Sequence, residues 1–318
     1  MKTVTDSPGL KEMLGFAPDA VRGRDADDQM HRALADSLAH LAAATSDAMP
    51  DTSAMLVTLS RRLAKGDRVA PVGFALYFRL ARALMANDRT LAAVFAARLL
   101  AVPMRPKGMG AKGWCLRVAG TPEAAPLLAL LADDGDPLLQ LASVSAEDAA
   151  AFVALLDQGS ALMQAELPTL HAEIDAIIHE VLLAHAAPGA VMEFDGASHY
   201  QFWGLLALNP RHHRTPLAVV EVLAHEAAHA LLFGLTIEEP LVLNPDSETY
   251  ASPLRRDPRP MDGIYHATFV SARMAWAMEH LAKSPRLGTA DRQAAAEAAR
   301  RDREYFAAGD QIVAAHGR

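Results

Sequence analysis

Two histidines four residues apart, His225 and His229, flank a glutamate in the segment HEAAH of this 318-residue chain. On an α-helix this spacing places both imidazoles on one face, about one turn apart. Two imidazoles on one face can bind a single divalent ion. Glu226 lies about a hundred degrees round the helix, where a carboxylate can take a proton from metal-bound water. The motif therefore predicts a metal site, with Glu226 as the candidate catalytic residue.

The residues around this motif, from Val219 to Leu232, are almost all apolar. A helix that is apolar on nearly all sides is buried, and burying two imidazoles and a carboxylate without partners is costly. A bound metal ion removes much of that cost, which favours a metal site over a chance match. Thr215 and Pro216 are typical of a helix start and Gly234 of a helix end, so the motif is expected in mid-helix.

A third ligand has to come from another segment of the chain. His266 stands in the first turn of a second apolar helix, expected from about Gly263 to Leu281, just after an arginine-rich loop. Glu279 is thirteen residues further on and points to a different face, whereas His280 shares the face of His266 but lies about 20 Å along the axis. His266 is therefore the favoured ligand, and Glu248, Glu279 and His280 are the alternatives.

A resemblance to a known family rests on three segments, GLLALNP, HEAAHALL and SPLRRDPRPMDGIYHATFVSARM. They resemble the HExxH proteins of ribosomal-peptide (RiPP) biosynthesis, which are 2-oxoglutarate/iron-dependent peptide β-hydroxylases. The likeness covers about Glu166 to Leu281. HExxH alone is shared with many zinc peptidases, but its combination with R-P-x-x-G-x-x-H is more specific. The resemblance implies that His225, His229 and His266 hold Fe(II), and that the substrate is a side chain within a precursor peptide.

The arginines near these histidines are candidates for binding the cosubstrate. Three protein ligands leave up to three positions on an octahedral ion, which 2-oxoglutarate and O₂ can fill, and the far carboxylate of the diacid is best bound by an arginine. Arg273, seven residues after His266 and about 10 Å along the same helix face, is one candidate, and Arg259 and Arg255 in the loop are the others. Arg273 could equally form a structural ion pair with a buried carboxylate. The arginines of the loop could equally be solvated, or could bind an acidic leader peptide.

Composition excludes several other classes of protein. The net charge is −8 and the pI about 5.9, without the basic surplus of a nucleic-acid-binding domain. No apolar run is long enough for a membrane span, and the N-terminal residues lack the apolar region of a secretory signal. Cys115 is the single cysteine, so the chain forms no internal disulfide. We expect a soluble cytoplasmic protein that binds neither nucleic acid nor a membrane.

Two regions are expected along the chain. Apolar residues recur three and four apart in residues 26–186, up to a helix over Glu166–His185, so residues 1–186 are predicted to form a helical cap or peptide-recognition region. Residues 187–318 are predicted to form the catalytic region, with a hairpin around Asp195-Gly196 whose edge strand carries Phe202 and Trp203. The Gly-rich stretch 106–120 is expected to be a plain loop with a short strand. Residues 289–311 are expected to form an exposed terminal helix.

The predicted fold is mainly α, with a helical N-terminal half and a zincin-like metal helix beside a small β element. The first functional hypothesis is an Fe(II)/2-oxoglutarate-dependent oxygenase that hydroxylates Cβ of a residue in a ribosomally made precursor peptide. The second is a zinc-dependent HExxH peptidase with Glu226 as general base. The third is a helical binding module with a structural metal. Consumption of 2-oxoglutarate under air separates the first hypothesis from the second.

Overall fold

A computed structural model describes residues 16–105, 114–133, 140–190 and 193–318. Helices take 64% and strands 9% of the residues that the structure describes, which confirms the mainly α class. The chain forms two compact units that both draw on separated segments. We call them the helical unit (Met1–Gly23, Ala150–Ala176 and His212–Arg318) and the sheet unit (Arg24–Ala149 and Ile177–Arg211).

The secondary structure alternates long helices with short strands. The helices are α1 (Ala20–Thr45), α2 (Pro50–Ala64), α3 (Pro71–Met85), α4 (Arg89–Ala101), α5 (Ala125–Asp133), α6 (Ala146–Glu166), α7 (Pro168–Ile177), α8 (Pro216–Leu235), α9 (Met261–Ala282) and α10 (Thr289–His316). The strands are β1 (Arg68–Val69), β2 (Met104–Arg105), β3 (Cys115–Val118), β4 (Leu141–Ala142), β5 (Glu180–Leu183), β6 (His185–Ala186), β7 (Gly196–Ser198), β8 (Leu205–Leu208), β9 (Thr249–Tyr250) and β10 (Arg259–Pro260).

The sheet unit is organised around a four-stranded sheet in the order β3-β5-β8-β7. Strands β3, β5 and β8 are parallel, and β7 closes the sheet by pairing antiparallel with β8. All four residues of β5 and all four of β8 are buried, as is usual for central strands of a parallel sheet. The short pairs β1–β2 and β4–β6 belong to the same unit.

The helical unit is built on α8, α9 and α10, with α9 packed against both of the others. Helix α8 begins as predicted, because the Thr215 hydroxyl accepts a hydrogen bond from the backbone N–H of Ala218 at 3.2 Å and Pro216 is the first helical residue. It runs to Leu235, one residue beyond the predicted stop. The antiparallel pair β9–β10 leads directly into α9.

The units do not follow the predicted division between residues 186 and 187. Most of α6 belongs to the helical unit, where it packs closely against α8: a Cβ atom on Gly159 would lie 2.7 Å from Cγ1 of Val219. Such close approach of two helix backbones needs a residue without a side chain. This contact joins residues sixty positions apart, so the helical unit draws on segments from both sides of residue 187.

The long helix expected over Glu166–His185 is interrupted. A new helix, α7, begins at Pro168 and ends at Ile177, and Glu180–Leu183 forms the central strand β5 instead. Proline cannot donate a backbone hydrogen bond within a helix but is favoured at its first position. The apolar run that follows fits a buried strand as well as a buried helix, since periodicity alone does not separate the two over so few residues.

The predicted turn at Asp195-Gly196 is wrong, because Gly196 is the first residue of strand β7 and the connection to β8 runs through residues 199–204. Strand β7 pairs with β8, whereas Phe202 and Trp203 lie at the end of a 3₁₀ turn between them and are almost fully buried. These two aromatic residues are therefore part of the core and not of an edge strand. Residues 191 and 192 of the predicted first strand lie outside the described residues.

Three further expectations concern surfaces. The strand predicted in the Gly-rich stretch is β3, while residues 106–113 lie outside the described ranges. The terminal helix α10 is longer than expected and not simply exposed, since Ala295, Ala298 and Ala299 are buried. Within the described residues, α8 is the one helix long and apolar enough to cross a membrane by length and composition; 67% of its apolar window is buried, and core helices pass the same test.

Candidate metal centre

The three predicted ligands lie together in the helical unit. His225 and His229 are neighbours on α8, with ring centroids 4.9 Å apart, and His266 comes from the second turn of the adjacent helix α9. The rings of His229 and His266 are stacked, with centroids 5.3 Å apart, and their Nδ1 atoms are separated by 3.0 Å. Packing of α9 on α8 thus brings a residue 37 positions away onto the histidine face of the motif helix.

The donor set fits a transition metal, although the rings are not yet arranged around one point. Within the described residues, no group of three or more His, Cys, Asp or Glu side chains is arranged to hold an ion as it stands. Imidazole nitrogens suit both Fe²⁺ and Zn²⁺. Two nitrogens that occupy neighbouring positions of an octahedral ion at about 2.1 Å are about 3.0 Å apart, which is the separation of the two Nδ1 atoms.

Burial favours the neutral form of His229 and His266. Burial first, and then charge repulsion from protonated His225, from protonated His266 and from Arg255, holds the pKa of His229 well below its ordinary value. Burial also lowers the pKa of His266, against the opposing influence of the Asp262 carboxylate. A metal ion binds only the neutral imidazole, so lowered pKa values reduce the competition from protons. At neutral pH the two rings are therefore in the form that binds a metal.

Glu226, the candidate catalytic residue, lies beside the first histidine. Its side chain is buried, and its Oε1 atom is 3.8 Å from Nε2 of His225. That distance is longer than a direct hydrogen bond. Placement of a buried carboxylate at the edge of the histidine cluster agrees with the position expected from the helix geometry.

Two neighbours of His266 were not identified from the sequence. Asp262 lies one helical turn before it, with Oδ1 4.0 Å from Nε2 of the ring, and Phe233 contacts the ring with a centroid distance of 5.6 Å. Each stands four residues from a predicted ligand, Asp262 from His266 and Phe233 from His229. The four-residue helical spacing was therefore the signal that could have found both.

Arg273 lies in a buried ion pair. It is 2% exposed, and its guanidinium donates to Oε2 of Glu173 and, at 3.0 Å, to the backbone carbonyl of Phe16. Arg22 donates to the other oxygen of the same carboxylate at 2.6 Å. Burial, followed by the charge of Arg22, lowers the pKa of Arg273 to about 9. Of the two roles considered for Arg273, cosubstrate binding and a structural ion pair, the structure shows the ion pair.

The loop arginines differ in their relation to the histidines. Arg255 is exposed, and its charge is among the causes that lower the pKa of His229. Arg259 forms an ion pair with Asp257, with Nη2 and Oδ2 2.9 Å apart, and its buried Nε atom has no hydrogen-bond partner within the described residues. The charge of Arg255 thus contributes to lowering the pKa of His229, whereas Arg259 pairs with a carboxylate of its own loop.

The alternative third ligands have other partners. Glu248 pairs with Arg318 and accepts a hydrogen bond of 2.9 Å from the Tyr250 hydroxyl. Glu279 pairs with Arg303, and the exposed His280 contacts the carbonyl oxygen of Trp276. None of these contacts involves His225, His229 or His266, whereas His266 contacts His229 directly.

Comparison with known proteins adds no family to this description. No protein-family model matches the chain, and no curated protein matches its sequence significantly.

Proposed function

We propose that this chain is an Fe(II)/2-oxoglutarate-dependent oxygenase that hydroxylates Cβ of a residue in a ribosomally made precursor peptide. The observation that carries the proposal is the contact between His229 and His266, which joins the HExxH helix to the helix of the R-P-x-x-G-x-x-H segment. Those are the two motifs on which the family resemblance rests. We further propose that the protein acts in the cytoplasm, without nucleic acid or a membrane as partner.

In this proposal His225, His229 and His266 bind the metal as neutral imidazoles. Bound Fe(II) would supply oxygen chemistry in which 2-oxoglutarate becomes succinate and CO₂ while a Cβ–H bond becomes C–OH. The half-buried ring of Phe233, which contacts His266, would exclude water from one side of the reacting centre. The buried carboxyl group of Glu226, 3.8 Å from His225, would favour a bound cation when it is ionised.

Arg255 is the residue that we propose to bind the far carboxylate of 2-oxoglutarate. Its charge already acts on His229, and a carboxylate placed between the loop and the histidines would be attracted to it. Arg273 would have to give up a buried carboxylate to take this role, and breaking a buried ion pair is strongly unfavourable. Arg259, which pairs with Asp257, is the second candidate.

A zinc peptidase remains the alternative, because Glu226 is buried next to His225, as a general base for metal-bound water would be. The two functions differ in their dependence on this carboxylate. Hydrolysis needs Glu226 to move a proton, whereas hydroxylation uses O₂ and the diacid. Glu226→Gln should therefore abolish hydrolysis but leave a substantial part of an oxygenase activity.

The deciding experiment reconstitutes the protein without oxygen, with Fe(II) or with Zn(II), and then adds candidate precursor peptides, 2-oxoglutarate and air. Mass spectrometry of the peptide and a succinate assay follow the reaction. One added oxygen atom per peptide, with an equal amount of succinate in the Fe(II) sample only, is expected. Cleaved peptide in the Zn(II) sample, without any need for 2-oxoglutarate, would replace the oxygenase by the peptidase. His212→Ala, at an exposed histidine before α8, is the control variant.

A further inference from the structure

We propose that Asp262 is the positioning residue for His266, holding the ring so that its Nδ1 atom faces His229 and the metal position. This inference rests on the metal site proposed above. It adds a residue that is not itself a ligand and that lies in the first turn of α9, four residues before His266.

The two nitrogens of His266 face different groups. Nδ1 is 3.0 Å from Nδ1 of His229, and Nε2 is 4.0 Å from Oδ1 of Asp262. A neutral imidazole carries one proton, and an ionised carboxylate can only accept a hydrogen bond. A proton on Nε2, directed at Asp262, leaves the lone pair on Nδ1 for the metal. Histidines that bind metals usually donate their second N–H group to a carboxylate in this way.

The geometry allows the contact to close. The Asp262 side chain is 61% exposed and can rotate about its Cα–Cβ bond. The His266 side chain is 13% exposed and lies against the ring of Phe233. The carboxylate is therefore the mobile partner of the two. A small rotation of Asp262, or one bridging water molecule, spans the remaining distance.

A merely structural role for Asp262 has to be separated from positioning. An acidic side chain in the first turn of a helix also stabilises the helix through its dipole, by about 0.3–1 kcal/mol. That effect would change the thermal stability of the protein but not its affinity for a metal. Metal affinity is therefore the readout that distinguishes the two roles.

Asp257 offers a matched control. Like Asp262 it is an exposed aspartate near the start of α9, with a 60% exposed side chain, but its partner is Arg259 and not a histidine. A general effect of lost negative charge near the cluster would appear in both variants. An effect through His266 would appear only in Asp262→Asn.

The experiment measures Zn(II) affinity by competition with a chelator, and the visible spectrum of the Co(II)-loaded protein, for wild type, Asp262→Asn, Asp262→Glu and Asp257→Asn. We expect Asp262→Asn to bind Zn(II) about 10- to 100-fold more weakly and to show an altered Co(II) spectrum. Asp262→Glu should recover part of the affinity, and Asp257→Asn should match the wild type.

The same substitution in a His266→Ala background completes the test. If Asp262 acts through His266, adding Asp262→Asn to His266→Ala should weaken Zn(II) binding no further, because the ring it orients is gone. Unchanged affinity of Asp262→Asn in a protein that binds Zn(II), or an equal loss in both backgrounds, would overturn the positioning role alone. A wild type that binds neither Zn(II) nor Fe(II) would overturn the proposed function together with it.

Discussion

Two clusters of imidazoles, one in each unit, use the same four-residue spacing on a helix. In the helical unit His225 and His229 share a face of α8 and meet His266. In the sheet unit Asp27 and His31 share a face of α1 and meet His179, which precedes β5. The two clusters therefore differ at one helical position, where a carboxylate in one unit stands in place of an imidazole in the other.

The Asp27 carboxylate accepts hydrogen bonds from the polar side chains of the cluster in the sheet unit. Oδ1 of Asp27 accepts hydrogen bonds from Nε2 of His179 and from Nε1 of Trp203, both at 2.9 Å, and lies 3.2 Å from Nδ1 of His31. Oδ2 accepts from Nε of Arg68 at 2.8 Å. With both oxygens occupied by donors, Asp27 joins α1, β1 and the start of β5 into one buried network.

The pKa values of the two clusters move in opposite directions. Burial acts to lower the pKa of His31, but the adjacent Asp27 carboxylate outweighs it and the pKa is raised. Burial raises the pKa of Asp27, but His31 and His179 hold it well below its ordinary value. His229, buried among like charges, has a strongly lowered pKa. Imidazoles around a carboxylate thus act as hydrogen-bond donors that support the fold, while burial beside other imidazoles favours the neutral form of His229.

The largest effect on stability is expected for Asp27→Ala. Its removal leaves Arg68, His179 and Trp203 with donors that have lost a buried acceptor, so the free energy of unfolding should fall by about 3–5 kcal/mol. Urea unfolding followed by circular dichroism measures this. Asp25→Ala, at an exposed position of the same helix, should change little, and the metal content of folded Asp27→Ala should equal that of wild type. A metal loss in Asp27→Ala without unfolding would contradict the separation of the two clusters.

Arg273→Gln tests whether a buried arginine in the helical unit is structural like Arg68. Loss of its bonds to Glu173 and to the Phe16 carbonyl should lower the free energy of unfolding by about 1.5–3 kcal/mol, since Arg22 continues to neutralise the carboxylate. The apparent affinity for 2-oxoglutarate should stay near the wild-type value. Cosubstrate binding that fails in a folded Arg273→Gln protein would instead assign it the carboxylate of 2-oxoglutarate.

Arg255→Gln should have the complementary effect. A charge-assisted contact to the cosubstrate contributes about 1.5–3 kcal/mol, which corresponds to an affinity for 2-oxoglutarate weaker by about ten- to a hundred-fold. Because Arg255 is exposed, thermal stability should be almost unchanged. Equilibrium binding to the metal-loaded protein without oxygen measures the affinity, and Arg259→Gln serves as the comparison. If Arg259→Gln rather than Arg255→Gln weakens 2-oxoglutarate binding, Arg259 and not Arg255 binds the far carboxylate of the cosubstrate.

The smallest expected effect is a pH dependence of the stability that His31 contributes to the fold. A raised pKa in the folded state means that the stabilisation by His31 is complete below its ordinary value of 6.5 and is lost as the pH rises through the folded value. His31→Gln should therefore reduce stability more at about pH 5.5 than at about pH 9. Urea unfolding at both values measures this. An equal loss at both would show that His31 stays neutral beside Asp27.

Local patterns predicted helix α8 well and the long-range partners poorly. The spacing of His225 and His229, and the cap at Thr215, depend on residues within one helix. His266, predicted because it begins a buried helix beside the arginine-rich loop, contacts His229. The partner of Arg273 is Glu173, a hundred residues earlier, and the partner of Asp27 is His179, 152 residues later. Such pairs are fixed by the packing of distant segments, for which the periodicity of a single sequence carries no signal.

Metal binding to the purified chain and its single-histidine variants tests the central claim most directly. Apo-protein is equilibrated with Fe(II) or Zn(II) without oxygen, and the bound metal is measured per chain. The account predicts one ion per chain in the wild type and in His179→Ala, and loss of stoichiometric binding at equimolar metal in His225→Ala, His229→Ala and His266→Ala, with each variant shown to be folded by circular dichroism. A wild type without metal, or full occupancy in folded His266→Ala, would contradict a site made of these three histidines.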